Sequence, residues 1–124
     1  MATPVQVDTV FDDGEPYEAA ICHGDLVYVS GQHPVDSEGN VVGDDIYTQT
    51  EQVLTNIERV LEAAGTNTEN IIKATVFLTD MEQFESFNEA YEQFLADPKP
   101  ARSAVGVTGL AVESLLEIEV IATR

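Results

Sequence analysis

The chain has 124 residues, and its 23 acidic and 5 basic side chains give it a formal net charge of −18 at pH 7. This charge argues against nucleic-acid binding and against docking on an anionic membrane, because it repels phosphate groups. With 44% hydrophobic residues the chain can bury a core, so we expect one domain over residues 1–124. No apolar run approaches the length of a membrane span, and no signal peptide is visible.

The first half of the chain predicts three strands followed by a helix. Apolar residues favour a first strand over residues 5–10, and two further strands over 17–22 and 26–31 form a hairpin around a glycine turn. Apolar residues then recur at helical spacing over residues 45–64. Gly65 is the natural C-terminal stop of this helix.

The second half predicts a strand, a helix and two more strands. Alternating apolar residues indicate a buried strand over residues 71–78, and Asp80 with Gln83 resembles a capping pair that opens a second helix. The apolar face of that helix is expected to comprise Met81, Phe84, Tyr91, Phe94 and Leu95. The final strands are expected over residues 101–107 and 115–122.

The order β-β-β-α-β-α-β-β predicts an α+β fold with one mixed sheet and both helices packed on one of its faces. A chain of this length has no further helix to cover the other face. We therefore expect the protein to form an oligomer.

The distribution of charge and the single cysteine bear on the protein's surroundings. Acidic residues are spread along the whole chain and only two lysines remain, which favours a protein of a high-salt cytoplasm where ions screen the repulsion. A generic acidic protein of a low-salt cell is the alternative. Cys22 cannot form an internal disulfide, so a cytoplasmic location is the default.

Arg102 is the residue that points most directly to a ligand. It is one of three arginines and lies on a short apolar strand. A planar guanidinium matches a carboxylate through two parallel hydrogen bonds, so Arg102 is suited to hold a small anion. The alternative is an ordinary ion pair with one of the many acidic side chains.

Other polar residues interrupt apolar patterns. Asn88 lies on the apolar stripe of the second helix, and Glu117 and Glu119 share one face of the last strand. The two glutamates are either ligand-facing or simply solvated, and Tyr17 is either a lid over a site or a core aromatic. Ser30 and Gly31 are small residues at the end of a strand. Either they let a ligand approach the backbone closely, or they form an ordinary strand end.

Metal chemistry has little support in the sequence. His23 and His33 are the only histidines, and neither has a second soft ligand at metal-binding spacing. We therefore expect no metal site.

Several motifs together resemble the RidA (YjgF) family over nearly the whole chain. The segment Pro100-Ala101-Arg102-Ser103, followed by residues 116–122, is similar to the C-terminal signature of the family. Residues 30–35, Ser-Gly-Gln-His-Pro-Val, are similar to its Ser-Gly-Gln-x-Pro segment. Residues 62–65, 73–80 and 87–94 match a helix end, the central strand and the second helix.

The resemblance implies a chorismate-mutase-like α+β fold, assembled as a homotrimer with ligand clefts between subunits. It implies hydrolytic deamination of short 2-imino or enamine acids, such as 2-aminoacrylate and 2-iminobutanoate, to 2-oxo acids and ammonia. Pyridoxal-phosphate dehydratases would supply these substrates, and the protein itself would need no cofactor.

The resemblance also implies roles for individual residues. Arg102 would clamp the substrate carboxylate, and Glu117 would hold or activate the attacking water. The cleft would be completed by Tyr17, Ser30 and Asn88 and by backbone groups near Gly31 and Ala104. Many family members have cysteine where this chain has Ala104, so a backbone role would survive there and a thiol role would be lost.

Two other functions are compatible with the resemblance. One is a trimeric small-carboxylate-binding or chaperone-like module without turnover. The other is a ribonuclease, which the charge of −18 disfavours.

Overall fold

A computed structural model describes residues 1–124 and shows one six-stranded sheet. The strands are β1 (Thr3–Pro4), β2 (Ala20–His23), β3 (Leu26–Gln32), β4 (Ile71–Leu78), β5 (Ala101–Gly106) and β6 (Leu116–Thr123). They lie in the order β1-β2-β3-β6-β4-β5, and only β4 and β5 run parallel. The predicted mixed sheet is therefore confirmed.

Two α-helices pack on one face of this sheet and share its core, as predicted. Helix α1 (Ile46–Ala63) begins where the Asp45 side chain accepts a hydrogen bond from the Thr48 backbone N–H at 2.8 Å. It ends at Ala63, and Gly65, two residues later, turns the chain away with a φ of 84° that favours glycine. Helix α2 is Phe84–Phe94. Neither helix is both long and apolar enough to cross a membrane.

The two faces of the sheet differ because side chains alternate along each strand. On β6, the residues facing the helices are fully buried, namely Leu116, Ile118, Val120 and Ala122. Glu117, Glu119 and Ile121 point to the other face. That face also carries Tyr28, which is 44% exposed, and Val105, which is 43% exposed. Neither helix of this chain covers it.

The predicted first strand over residues 5–10 is wrong. The strand ends at Pro4, and the Val5 backbone N–H still donates to Ala20 O at 3.0 Å. Strand β2 begins only at Ala20, so a longer first strand would have no pairing partner. The residues at 17–19 accordingly lie in a loop instead of the predicted strand, and the apolar residues of 5–10 pack against the core from irregular backbone.

The start of the second helix also differs from the prediction. Asp80 caps a 3₁₀ turn, Met81–Gln83, by accepting a hydrogen bond from the Glu82 backbone N–H at 3.0 Å. The α-helix begins only afterwards, at Phe84. Because a 3₁₀ turn has about three residues per turn, it rotates Met81 off the apolar stripe, and this side chain is 44% exposed.

Candidate active site

Arg102 is held by uncharged groups on the helix side of the sheet. Its Nη1 donates to Asn88 Oδ1 at 2.8 Å. The guanidinium carbon lies 4.9 Å from the ring centre of Tyr91, 5.4 Å from that of Phe84 and 5.6 Å from that of Phe87. Such cation–π contacts orient the guanidinium without neutralising its charge.

Arg102 has no acidic partner in the chain. The charge pairs within 4.0 Å are Lys99 with Asp97, at 3.1 Å, and His33 with Glu117, at 3.5 Å. The ordinary ion pair considered for Arg102 from sequence is therefore absent. In a chain with 23 acidic residues, this leaves a fixed guanidinium free to receive an external anion.

The guanidinium opens into a cleft of about 440 Å³, which we call the Arg102 cleft. It is lined by Asn88, Tyr91, Glu92, Asp97, Lys99, Pro100 and Arg102. The Tyr91 hydroxyl is buried there and has no hydrogen-bond partner. Burial raises the pKa of Tyr91, and the charge of Arg102 opposes that rise. Tyr91 therefore contributes a neutral donor beside the guanidinium.

A second cleft, of about 810 Å³, lies on the opposite face of the sheet, and we call it the Glu117 cleft. Its lining includes Asp13, Glu15, Tyr17, Ser30, Gly31, His33, Glu117 and Glu119. Four of these side chains are carboxylates and only His33 can become positive. The cleft therefore disfavours an anionic ligand unless a cation enters with it.

Gly31 makes room for the Glu117 carboxylate. The pairing of β3 with β6 shifts after Val29, so that Ser30 and Gly31 together lie opposite Glu119. This β-bulge turns the glycine towards the neighbouring glutamate. A Cβ at position 31 would clash with Glu117 Oε2, so a side chain there would displace the carboxylate.

Tyr17 faces the same cleft and is tied to Asp13. Its hydroxyl donates to Asp13 Oδ2 at 2.7 Å. Partial burial, followed by this hydrogen bond, raises the pKa of Tyr17 to about 12. Hydrogen bonds from the Glu15 backbone N–H and from Tyr17 lower the pKa of Asp13. At neutral pH the pair is thus a phenol and a carboxylate.

The residues predicted for the site fall into two groups within one chain. Tyr17, Ser30, Gly31 and Glu117 line the Glu117 cleft, whereas Arg102 and Asn88 line the other. The Ser30 hydroxyl already donates to the Glu18 backbone oxygen at 2.6 Å and so anchors the loop that carries Tyr17.

Ala104 lines neither cleft. Its register partner is the fully buried Val76, and its side chain packs against the core. Only its backbone, two residues after Arg102 on the edge strand β5, can meet a ligand.

Two residues at these clefts, Tyr91 and His33, were missed from the sequence, as was Asn56, which binds the backbone of His33. Asn56 is 2% exposed, and its Nδ2 donates to the backbone oxygens of His33 at 3.1 Å and Val35 at 2.8 Å. The signal for Asn56 was present, because it interrupts the apolar stripe of α1 as Asn88 does on α2. No comparable pattern marks the other two.

Comparison with known proteins agrees with the fold and motifs. Residues 10–124 match the family model described as Endoribonuclease L-PSP. A RutC family protein of Pyrococcus horikoshii is 46% identical over 110 residues, which cover 88% of this chain and 87% of that protein.

Two solved structures are similar along almost their full length. RidA from an Antarctic Psychrobacter species has a TM-score of 0.94 at 35% identity, covering 98% of this chain and 99% of that one. TdcF of E. coli, solved with bound serine, has a TM-score of 0.92 at 34% identity and covers 98% of each chain. The chain therefore belongs to the endoribonuclease L-PSP family, which is the RidA (YjgF) family that its motifs resemble, and has the YjgF fold.

Proposed function

We propose that the protein hydrolyses short 2-imino acids and their enamine forms, such as 2-iminobutanoate and 2-aminoacrylate, to 2-oxo acids and ammonia. The observation that carries this proposal is the unpaired Arg102 guanidinium, which is held only by Asn88 and three aromatic rings. A planar cation that pairs with no carboxylate within 4.0 Å, in a chain of charge −18, is suited to bind a substrate carboxylate.

We further propose that the working unit is a homotrimer whose sites form between subunits. The Arg102 cleft holds two cations, Lys99 and Arg102, and two carboxylates, Glu92 and Asp97, of which Asp97 pairs with Lys99 at 3.1 Å. The other cleft holds four carboxylates. Bringing the Arg102 cleft of one chain to the Glu117 cleft of the next places the unpaired Arg102 guanidinium against those carboxylates. It also covers the sheet face that the helices leave open.

In the joined site, Arg102 binds the substrate carboxylate through two parallel hydrogen bonds. Glu117 accepts a proton from water while the water oxygen bonds to the carbon of the protonated imine, and the π electrons of the C=N bond move to nitrogen to give a neutral amine. The Glu117 carboxylic acid then gives this proton to the amine. The C–N bond breaks as the hydroxyl oxygen forms the C=O bond, the hydroxyl proton passes to the Glu117 carboxylate, and the products are ammonia and a 2-oxo acid. General base catalysis of this kind contributes about 10²–10⁴-fold.

A small-carboxylate-binding or chaperone-like module without turnover is the second candidate. The serine bound to the related TdcF favours it, because that ligand is an amino acid rather than an imine. Glu117 favours the enzyme, because binding a carboxylate alone does not require an acid beside it. Ribonuclease activity, which the family description suggests, is disfavoured by the charge of −18.

The same proposal includes a functional link to the pyridoxal-phosphate dehydratases that release such imines, and a cytoplasmic location. A coupled assay tests the activity: a threonine dehydratase generates 2-iminobutanoate in molar salt, and 2-oxobutanoate is followed with and without the protein. We expect faster appearance with the wild-type protein and no acceleration with Arg102→Ala. Binding of 2-oxobutanoate without any acceleration would support the binding module instead.

A further inference from the structure

His33 stands beside Glu117 with one ring nitrogen unused. Its Nδ1 is buried, has no hydrogen-bond partner and lies 3.5 Å from Glu117 Oε1. The two side chains are 13% and 22% exposed. In the sequence, His33 occupies the variable position of the Ser-Gly-Gln-x-Pro segment, so no motif assigns it a role.

The two oxygens of the Glu117 carboxylate have different surroundings. Oε2 lies against Gly31, at the place where a side chain at that position would stand, and Oε1 faces His33. The carboxylate accepts no hydrogen bond within the chain. The other side-chain donors in this cleft are already bonded, Tyr17 to Asp13 at 2.7 Å and Ser30 to the Glu18 backbone oxygen at 2.6 Å. His33 is therefore the side-chain donor that remains for Glu117.

We propose that His33 is a positioning residue for Glu117: its Nδ1–H donates to Oε1 and leaves Oε2 for the attacking water. This inference rests on the proposed function. The contact needs to shorten by only ~0.6 Å to reach an ordinary N–H···O distance of about 2.9 Å. Such contacts are often long without substrate and tighten when the substrate binds.

The backbone of His33 is fixed well enough for this role. Its carbonyl oxygen accepts hydrogen bonds from Asn56 Nδ2 at 3.1 Å and from the Val35 backbone N–H at 2.8 Å. Asn56 is in turn held by Gln52, whose Nε2 donates to Asn56 Oδ1 at 3.0 Å. Helix α1 thereby anchors the segment that presents the imidazole, and a fixed donor loses little entropy when it orients its acceptor.

Two variants separate positioning from packing. His33→Leu removes the donor and keeps an apolar side chain, whereas His33→Asn keeps an amide N–H near the place of Nδ1. We expect His33→Leu to lower kcat about tenfold with KM nearly unchanged, and His33→Asn to recover most of that loss. Wild-type kcat in His33→Leu, or equal losses in the two variants, would overturn the proposal.

A spectroscopic readout tests the same contact without an activity assay. Nitrogen-15 NMR near pH 8.5, where an ordinary imidazole is neutral, distinguishes the Nδ1–H form from the Nε2–H form. The chain has two histidines, and His23→Gln assigns the signals. We expect His33 in the Nδ1–H form in the wild-type protein and in the Nε2–H form in Glu117→Ala.

An Nε2–H form of His33 in the wild-type protein would refute the contact whatever the activity. An Nδ1–H form that disappears in Glu117→Ala, in a protein without deaminase activity, would support the contact and reject only the proposed function.

Discussion

Arg102 and Glu117 project from opposite faces of the same sheet. Arg102 pairs in register with Ala74, which is 1% exposed beneath the helices, whereas Glu117 pairs with Phe77 on the uncovered face. One chain therefore cannot bring the two side chains to one small ligand. If both act on the same substrate, each site takes the arginine from one subunit and the glutamate from another.

This separation predicts complementation between two inactive variants. Arg102→Ala and Glu117→Gln should each be inactive alone, and subunits mixed in equal amounts should regain activity. In a cyclic trimer every mixed assembly contains one intact site out of three, so the purified mixed trimers should hold about a third of the wild-type sites. Activity is measured after co-expression with two affinity tags and tandem purification. No recovery in mixed trimers would mean that the two residues do not share a site across subunits.

Replacing Arg102 should remove substrate binding without unfolding the protein. Arg102→Ala should cost about 2–5 kcal/mol in transition-state binding, because a charged two-pronged contact to a desolvated anion is lost. Arg102→Lys should also be poor, since a point charge does not reproduce the guanidinium fork. The measurements are kcat/KM and thermal unfolding. Arg124→Ala, which removes the same charge outside both clefts, is the matched control and should retain full activity.

Substitutions of Glu117 and Glu119 by glutamine form a second matched pair of variants. Glu117→Gln keeps the size of the side chain but removes the base, so turnover should fall by roughly 10²–10⁴-fold while a 2-oxo acid still binds. Glu119→Gln removes an exposed charge of the same cleft and should leave kcat close to the wild-type value. Turnover and calorimetric binding are measured for both. A larger loss of turnover in Glu119→Gln would show that Glu119, and not Glu117, activates the water.

Gly31→Ala tests the close approach of the glutamate. The new Cβ would meet the end of a flexible side chain rather than backbone, so the free energy of unfolding should change by less than about 1 kcal/mol. The displaced carboxylate should lower kcat by about 10²-fold, because a shift near 1 Å is enough to spoil alignment. Gly109→Ala, with no atom within 4 Å of its Cβ, should be neutral in both measurements. Unchanged turnover in Gly31→Ala would contradict the role of Glu117 in the reaction.

Salt should control assembly. Each chain brings a charge of −18 into the proposed trimer, and the Debye length shrinks from ~10 Å at 0.1 M to ~3 Å at 1 M ionic strength. We expect a trimer of about 40 kDa, three times the 13.5 kDa chain, in molar salt, with weaker assembly and lower activity in dilute buffer. Light scattering over a salt series, run beside the assay, checks both. A trimer that is equally stable at all salt concentrations would contradict only the interpretation that the protein is adapted to high salt. An active monomer would contradict the proposal that each site is shared between subunits.

Elements with strong local signals were predicted well. The strand predicted over residues 71–78 is observed with those bounds, because apolar residues alternate along its full length. The helix predicted over 45–64 is shorter by one residue at each end, since Asp45 and Ala64 act as caps. The strand expected over residues 5–10 failed because its extent depends on where its partner begins, which no local pattern reveals.

The sequence allowed us to predict which residues belong to the candidate site, but not how they are arranged in space. Alternation along β6 correctly put Glu117 away from the core. The face occupied by Arg102 depends on the parallel register of β5 against β4, which is a long-range property. The approach of His33 to Glu117 similarly depends on the bulge at Ser30 and Gly31. Neither the register of β5 against β4 nor the bulge in β3 produces a periodic pattern in the sequence.

The position of one tyrosine in each cleft has an optical consequence. The chain contains four tyrosines and no tryptophan, so phenol rings dominate its ultraviolet emission over the weaker emission of its phenylalanines. Tyr17 lines the acidic cleft, and Tyr91 lies under the guanidinium of Arg102. Half of the chromophores thus border the surfaces that a ligand or a neighbouring subunit would cover. The native protein therefore carries its own fluorescent reporters, and ligand titration or subunit exchange can be followed without attaching a dye.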